Sequence, residues 1–292
     1  MSANFTTTTY GKWILAGEHS VIRGYPALVF PVTSKSLTLT HVETHKPCKA
    51  SFEGEAGHDM HLLFFSLLEH AAVLLNHSIN DLTGQFHLNN TIPMGAGLGA
   101  SAALSVALTR FFIAYGWMDE MQSFVFAKRL EDFFHGKSSG VDIAGVSAKT
   151  GVYFQQGHVM PISMAWQPCW VLSSCGQRGF TADCVNKVQD LWERDSDKAL
   201  MIDEKMATAV QTAKQALEDV NRPLMLLKDA INSASECFEQ WGLISESLAH
   251  HLSQLKSLGA IAAKPTGSGK GGYVISLWES LPDDRSLTYI QA

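Results

Sequence analysis

Residues 91–108 read TIPMGAGLGASAALSVAL, in which three glycines and a serine precede a run of small and apolar residues. Glycine costs conformational entropy in a loop, so a cluster of glycines indicates that the backbone must come close to something. The residues behind the loop predict a helix over about 100–115 that is apolar on nearly every face and therefore buried. Because the free N–H groups and the dipole at a helix N-terminus favour negative charge, the stretch predicts an anion-binding loop.

The composition is typical of a globular protein. The chain has 292 residues, of which 46% are hydrophobic and 17% charged, and its formal net charge is −6. This length favours two domains and is ample for a large core. No basic run or basic–aromatic stretch is present, and we expect no nucleic-acid partner because binding to a phosphate backbone needs a clustered cationic footprint.

The chain predicts a cytoplasmic protein without a membrane span. Its N-terminus lacks the basic-then-apolar order of a signal peptide. The most apolar stretch, which starts at Met60, is interrupted by Glu69 and His70, so we interpret it as a core helix. The five cysteines are scattered and contain no C-x-x-C pair. A disulfide framework or zinc knuckle is therefore not expected, and a reducing cytoplasm fits best.

The pattern of elements changes along the chain. The early segments KWILAG, ALVFPV and SLTLTHVE predict strands, the last two separated by a Thr-Ser-Lys step. TGVYFQQGHVMPI predicts a hairpin that turns at Gly157. From Thr181 to Ser257 the sequence is mostly helical, and AIAAKPTGSGKGGYVISLW predicts a strand, a glycine loop and a second strand. We place a domain boundary near residue 160, which gives domains 1–160 and 161–292.

Four segments hold residues suited to chemistry. Taken singly, each has an ordinary structural explanation, such as a strand-end lysine, a turn, a solvated helix carboxylate or a cap. They are GKWILAGEHSVIRGYPAL with Lys12, Glu18 and His19; the loop of Gly95, Gly97 and Gly99 before Ser101; LEDFFHGKSSGVDIAG with Glu131, His135, Ser139 and Asp142; and PTGSGKGG, residues 265–272.

Two other motif matches fail. GSGK at 267–270 is not a Walker A loop, because Lys264 stands where that motif needs glycine and Gly271 where it needs Ser or Thr. His58 and His61 lack a third and fourth ligand at a spacing that would hold zinc.

Together, the four segments supply the parts that phosphoryl transfer needs. The glycine loop offers backbone donors for phosphates, and Lys12 offers a cation. Ser101 and Glu131 offer a hydroxyl and a carboxylate for Mg²⁺. Asp142 offers a base for the acceptor hydroxyl.

Three of the segments resemble, in order, the motifs of the GHMP small-molecule kinases: GKWILAGEHSVIRGYPALVFPV, PMGAGLGASAALSVAL and PTGSGKGGYVISL. The resemblance covers most of the first 150 residues and the last 30. Two patterns, G-E-H-x-V-x-x-G-x-P-A-L and E-x-x-x-H-G-x-x-S-G-x-D, are similar to the mevalonate kinase branch. Galactokinases tend to carry G-E-H-x-D-Y in place of the first of these patterns.

The resemblance implies an α+β fold of two domains. Residues 1–160 would form the N-terminal α/β domain that binds ATP, and residues 161–292 a ferredoxin-like C-terminal domain, with the active site in the cleft between them. It implies ATP and Mg²⁺ as cofactors, and phosphorylation of the primary hydroxyl of mevalonate to 5-phosphomevalonate in isoprenoid biosynthesis. Because related kinases are often dimers, a homodimer is also expected.

The resemblance also implies roles for individual residues. Asp142 would take the proton from the acceptor hydroxyl, and Lys12 would contact Asp142 and the transferring phosphoryl group. Ser101 and Glu131 would hold Mg²⁺. The residues implied in ATP binding are Pro93, Gly95, Ala96, Gly97, Leu98, Gly99, Ala100 and Ser101. The residues implied in acceptor binding are Glu18, His19, Thr181, Gly267 and Ser268, where the local match around Thr181 and Arg178 is weak and leaves their roles open.

The chain departs from the family pattern at several positions. Tyr10 and Ser138 stand where proline is usual, Ala100 replaces a serine, and Ser268 and Lys270 interrupt the third glycine motif. Lys270 is either an exposed loop lysine that points away or an extra cation for a substrate carboxylate or phosphate. The second interpretation keeps phosphomevalonate kinase as an alternative.

Two further alternatives stay open. The chain could phosphorylate another small alcohol, such as homoserine or a sugar, or it could be a catalytically inactive relative that binds ATP or a metabolite. Loss of function would be expected to remove Lys12, Glu131 or Asp142 first, and all three are present. The sequence therefore favours an active enzyme.

Overall fold

The structure is a computed structural model that describes residues 4–54, 57–179, 181–280 and 288–292. The strands are β1 (Asn4–Ala16), β2 (Ala27–Pro47), β3 (Lys49–Gly54), β4 (Thr83–Asn90), β5 (Val152–Gln155), β6 (His158–Pro161), β7 (Cys169–Ser174), β8 (Ala262–Thr266), β9 (Tyr273–Trp278) and β10 (Tyr289–Gln291). The α-helices are α1 (Gly57–Leu74), α2 (Ala100–Ala114), α3 (Ser123–His135), α4 (Val141–Ser147), α5 (Thr181–Arg194), α6 (Ser196–Glu218), α7 (Leu224–Gln240) and α8 (Glu246–Ser257). These elements confirm the α+β class.

The chain forms two compact units, each built from separated stretches. The first unit contains Met1–Gly11, Val32–Met94 and Leu98–Ser147, and the second contains Lys12–Pro31, Gly95–Gly97 and Ala148–Ala292. The segment that carries Lys12, Glu18 and His19 therefore belongs with the C-terminal half of the chain. The division into domains 1–160 and 161–292, and the ferredoxin-like C-terminal topology, stay predictions.

In the first unit, β4 pairs antiparallel with the second half of β2 and parallel with β3. Alternate residues of β4 are buried, as expected for a strand with one face on a core. The predicted buried helix is confirmed as α2, in which eleven of the 15 residues are buried. Helices α3 and α4 both pack on α2.

The predicted break at Thr33–Lys35 is wrong, because β2 runs continuously through these residues. The step contains no glycine, proline or asparagine that would favour a turn, and threonine itself favours strands.

In the second unit, β10, β7, β9 and β8 form an antiparallel sheet in that order. Helices α6 and α7 pack on each other, and α7 and α8 pack on β8. The predicted strand, glycine loop and strand near the C-terminus is confirmed as β8 and β9. The predicted hairpin is also confirmed, because β5 and β6 pair around a two-residue turn at Gln156 and Gly157, which both have positive φ.

No described helix combines the length and the hydropathy needed to cross a membrane. All five cysteines are free thiols.

Candidate active site

The glycine loop leads from β4 into α2. Gly95, Gly97 and Gly99 have φ values of 67°, 79° and 80°, and Gly99 is the N-cap of α2. Side chains rarely adopt this left-handed conformation, so the loop requires glycine. Gly95 and Gly97 are exposed. A Cβ atom added at either would meet no other atom closer than 3.7 Å, so crowding is not the reason for glycine here.

Ser101 and Glu131 meet in the first unit. Ser101 lies in the first turn of α2, and its hydroxyl donates to Oε1 of Glu131 on α3 at 3.2 Å. The Glu131 residue is buried. A hydroxyl and a carboxylate are hard oxygen donors of the kind that Mg²⁺ uses when phosphates and waters complete its shell. Within the described residues, no group of three or more His, Cys, Asp or Glu side chains could hold a metal ion by itself.

Asp142 is also in the first unit. It is half-buried and is the second residue of α4, in the first turn, where the helix dipole favours a carboxylate. Because α4 packs on α2 and α3, the two helices that carry Ser101 and Glu131, its start has a fixed position in this unit.

In the second unit, Glu18 lies two residues after the end of β1 and forms a buried ion pair with Lys264 of β8. The Lys264 ammonium on β8 donates to Oε1 of Glu18 at 2.6 Å, and the side chains are 0% and 2% exposed. Burial raises the pKa of Glu18, although the charge of Lys264 opposes that rise. Burial likewise lowers the pKa of Lys264. Lys12 lies earlier on the same strand and is also buried.

His19 follows with a positive φ of 60°. Its Nε2 lies 2.9 Å from the carbonyl oxygen of Ser268, and its ring contacts those of Phe238 and Trp241 edge-on. Burial lowers the pKa of His19 to about 4, so the ring is neutral near pH 7. Since a carbonyl oxygen can only accept, Nε2 carries the proton and Nδ1 is left as an acceptor suited to a hydroxyl group.

A short 3-10 helix, Ser20–Arg23, anchors this segment further. The Arg23 guanidinium donates to both carboxylate oxygens of Asp203 on α6 and lies over the Trp192 ring. The residues before and after His19 are therefore held by side-chain contacts, Glu18 by Lys264 of β8 and Arg23 by Asp203 of α6.

Three loops meet in the second unit: 95–97, 176–179 and 267–272. A Cβ atom at Gly267 would lie 3.6 Å from the Cα of Gly97, and one at Gly272 would lie 3.1 Å from the carbonyl oxygen of Ala96. Thr181, the first residue of α5, is exposed, and its hydroxyl donates to that of Ser268 at 3.5 Å. The sequence-predicted acceptor residues Glu18, His19, Thr181, Gly267 and Ser268 are thus neighbours within one unit.

Lys270 faces a different surface. It lines an open cavity of about 640 Å³ together with side chains of α5. None of Glu18, His19 or Ser268 lines this cavity. The other lining residues are Asp183, Asn186, Lys187, Asp190, Glu193 and Arg194.

Each unit holds part of the predicted set. The first unit contains Pro93, Leu98, Gly99, Ala100, Ser101, Glu131 and Asp142, and the second contains Lys12, Glu18, His19, Gly95, Ala96, Gly97, Thr181, Gly267 and Ser268. Lys264 is not predicted as a site residue, because it lies in a strand outside the glycine loop of its motif. Its one signal is its place inside the apolar strand AAKPT, all of whose residues are buried.

Known proteins are similar to this chain over most of its length. The family model described as GHMP kinases N terminal domain matches residues 66–149. The mevalonate kinase of Pyrococcus abyssi is 27% identical over 298 residues, which cover 91% of this chain and 86% of that protein.

Two solved structures share the fold. The L. major mevalonate kinase, crystallised in complex with R-mevalonate, has a TM-score of 0.79 at 20% identity and covers 96% of this chain and 88% of its own. The Streptococcus pneumoniae phosphomevalonate kinase, in complex with phosphomevalonate and AMPPNP, has a TM-score of 0.72 at 16% identity, covering 97% and 93%. The chain belongs to the GHMP kinase superfamily. Within that superfamily, its similarity over nine tenths of its length is to mevalonate kinases.

Proposed function

We propose that this chain is a mevalonate kinase, which transfers the γ-phosphoryl group of ATP to the primary hydroxyl of mevalonate and releases 5-phosphomevalonate and ADP. The observation that carries the proposal is the similarity to mevalonate kinases over 91% of the chain. The presence of Lys12, Glu131 and Asp142 together supports an active enzyme rather than an inactive relative.

On the nucleotide side, the backbone N–H groups of Gly95–Gly99 hold the phosphates, and the dipole of α2 favours their charge. Pro93 and Ala100 flank this loop. Ser101 and Glu131 would hold Mg²⁺, for which their oxygen donors and their 3.2 Å separation are suited. When bound there, the ion would neutralise charge on the phosphate oxygens.

On the acceptor side, Asp142 takes the proton of the primary hydroxyl, and Lys12 stabilises the charge that develops on the transferring group. Nδ1 of His19 accepts a hydrogen bond from a hydroxyl of the acceptor. Thr181 and Ser268, which are hydrogen-bonded to each other, contact the acceptor beside His19. These roles follow the family pattern and explain why the three loops of the second unit meet.

Phosphomevalonate kinase is the second candidate, since Lys270 adds a cation to the third motif and the S. pneumoniae enzyme shares the fold. Lys270 lines a cavity with three acidic and two other basic side chains of α5, and none of Glu18, His19 or Ser268 lines that cavity. This placement favours mevalonate as the acceptor.

The resemblance supports two more proposals, a homodimer and a cytoplasmic location. Light scattering on the purified protein measures the first: a mass near 64 kDa, twice that of the 31.9 kDa chain, supports the dimer.

The first test is a coupled ADP-release assay with Mg·ATP against mevalonate, phosphomevalonate, homoserine and galactose. We expect turnover on mevalonate alone. Turnover on phosphomevalonate instead would reassign the acceptor, and no turnover with ATP still bound would favour an inactive relative.

The second test removes the base. Asp142→Asn should lower kcat by about 10³-fold, within the range that general-base catalysis contributes, and leave ATP binding nearly unchanged by calorimetry. Asp229→Asn is the matched control, because Asp229 is exposed on α7 in the other unit. Near-normal turnover of Asp142→Asn would remove Asp142 from this role.

A further inference from the structure

Two side chains of β8 hold the end of β1. The hydroxyl of Thr266 accepts from the Ile14 N–H at 2.8 Å and donates to the Ile14 carbonyl at 3.0 Å. The Lys264 ammonium donates to that carbonyl at 3.4 Å and to the Glu18 carboxylate at 2.6 Å. Ile14 lies two residues after Lys12, so these contacts fix the strand on which Lys12 is carried.

The pair of Lys264 and Glu18 is fully enclosed. Lys264 lies over the face of the Phe238 ring, 5.2 Å from its centre. In the described part of the chain, Oε2 of Glu18 is buried without a hydrogen-bond partner. Lys264 is therefore the hydrogen-bonded counter-charge of this carboxylate. Taking it away would leave this buried carboxylate without its hydrogen-bonded counter-charge, which is costly.

Lys12 also acts on this pair. Its positive charge opposes the rise that burial causes in the pKa of Glu18 and adds to the fall that burial causes in the pKa of Lys264. Two buried lysines thus act on one carboxylate. Besides these three residues, Cys237 of α7 acts on the pKa of Lys264, with a larger effect than that of Lys12.

We propose that Lys264 is a positioning residue: by neutralising Glu18 and holding the end of β1, it keeps Lys12 in position for the transferring phosphoryl group. The proposal rests on the proposed function only in giving Lys12 that role. Without Lys264, Glu18 would draw Lys12 toward itself. A displacement of about 1 Å at a catalytic group costs on the order of 100-fold in rate.

The test is Lys264→Met, which keeps the length of the side chain and its packing on Phe238. We expect kcat to fall about 100-fold while the KM for Mg·ATP changes less than about 3-fold. Lys264→Arg, which keeps the charge, should recover most of the lost rate. Lys205→Met is the matched control, because Lys205 pairs with Glu236 on the exposed surface of the same unit.

A double-variant comparison separates positioning from a direct role. If Lys264 acts through Glu18, then Lys264→Met/Glu18→Gln should have a kcat within about 3-fold of Glu18→Gln alone. A further large drop in the double variant would overturn the proposal. If Lys264→Met alone does not fold, a folded double variant, which buries neither member of the ion pair alone, still shows that Lys264 acts on Glu18, and a double variant that also fails to fold would overturn the proposal.

A crystal structure of Lys264→Met shows the position of Lys12 directly, without an activity assay. We expect Nζ of Lys12 to lie about 3 Å from a carboxylate oxygen of Glu18. This measurement stands even if the wild-type protein fails to phosphorylate mevalonate, so the two proposals fail separately. A lowered melting temperature with kcat per folded protein unchanged, and Lys12 unmoved, would reduce Lys264 to a structural residue.

Discussion

Two loops of the second unit have similar glycine content for different physical reasons. In the loop of residues 95–97, both glycines are exposed and have positive φ, and an added Cβ atom would meet nothing closer than 3.7 Å. In the loop of residues 267–272, a Cβ atom at Gly269 would lie 2.9 Å from the Cβ of Leu243. One at Gly271 would lie 2.7 Å from backbone atoms of residues 177–179.

The first loop uses glycine to expose its backbone, and the second uses it to pack closely against other backbone. An exposed glycine backbone with open space around it can approach a ligand. A glycine backbone that is in close contact with another loop instead holds the two loops together. We therefore expect substitutions in the first loop to change nucleotide binding and substitutions in the second to change stability.

The largest effect is expected for Gly271→Ala. Real Cβ atoms do not approach backbone within 2.7 Å, so one of the two loops must move. We expect a loss of about 3 kcal/mol in the free energy of unfolding, measured by urea denaturation, at the upper end of overpacking effects. Gly157→Ala is the control: Gly157, unlike Gly271, has a positive φ, but no atom lies within 4 Å of the added Cβ. Equal losses in the two variants would contradict the packing explanation.

The next effect concerns His19, which joins the packed loop through Ser268. The pKa of His19 is about 4 in the folded protein, whereas an unperturbed histidine, as in the unfolded chain, has a pKa of 6.5. The unfolded chain therefore binds more protons between these values, and stability is lost as the pH falls from 6.5 to 4. A difference of about 2.5 pKa units corresponds to roughly 3 kcal/mol at the acid end.

His19→Gln keeps a donor for the Ser268 carbonyl and removes the titration. Urea unfolding at pH 4.5, 5.5 and 7 should therefore give a flatter dependence for this variant than for the wild type. His158→Gln, on the exposed strand β6, should keep the wild-type dependence. Parallel curves for His19→Gln and the wild type would show that the ring is not held as the structure has it.

The two loops also show what sequence can predict. The glycines before α2, the burial of α2 and the β8–loop–β9 hairpin all follow from local patterns, in which neighbours in the chain decide the structure. Local patterns do not predict that residues 12–31 belong to the second unit, because β1 and β2 run through both units. The pair of Lys264 and Glu18 joins residues 246 positions apart, and a lysine in a short strand is ordinarily expected at the surface.

A smaller effect is expected for Gly97→Ala in the open loop. The left-handed conformation costs alanine about 1 kcal/mol of stability, and the new methyl group stands where the backbone would approach a phosphate. We expect the KM for Mg·ATP to rise about tenfold, equivalent to about 1.4 kcal/mol of binding. Gly116→Ala, also at positive φ with no atom within 4 Å, should lose similar stability and keep its KM. An unchanged KM in Gly97→Ala would place the nucleotide elsewhere.

The smallest effect is expected for Lys270→Gly, which restores the family residue to the packed loop. Lys270 has a φ of 56°, so glycine removes a strain of about 1 kcal/mol but adds freedom to the unfolded chain, and the net change in unfolding free energy should stay below about 1 kcal/mol. Because Lys270 lies with the charged side chains of α5, kcat/KM for mevalonate should change less than about 3-fold. Lys270→Ala removes the charge and keeps the strain, so it separates the two contributions. If both variants raise the KM for the acceptor alone, then the charge of Lys270 reaches the acceptor, and the packed loop takes part in substrate recognition as well as in structure.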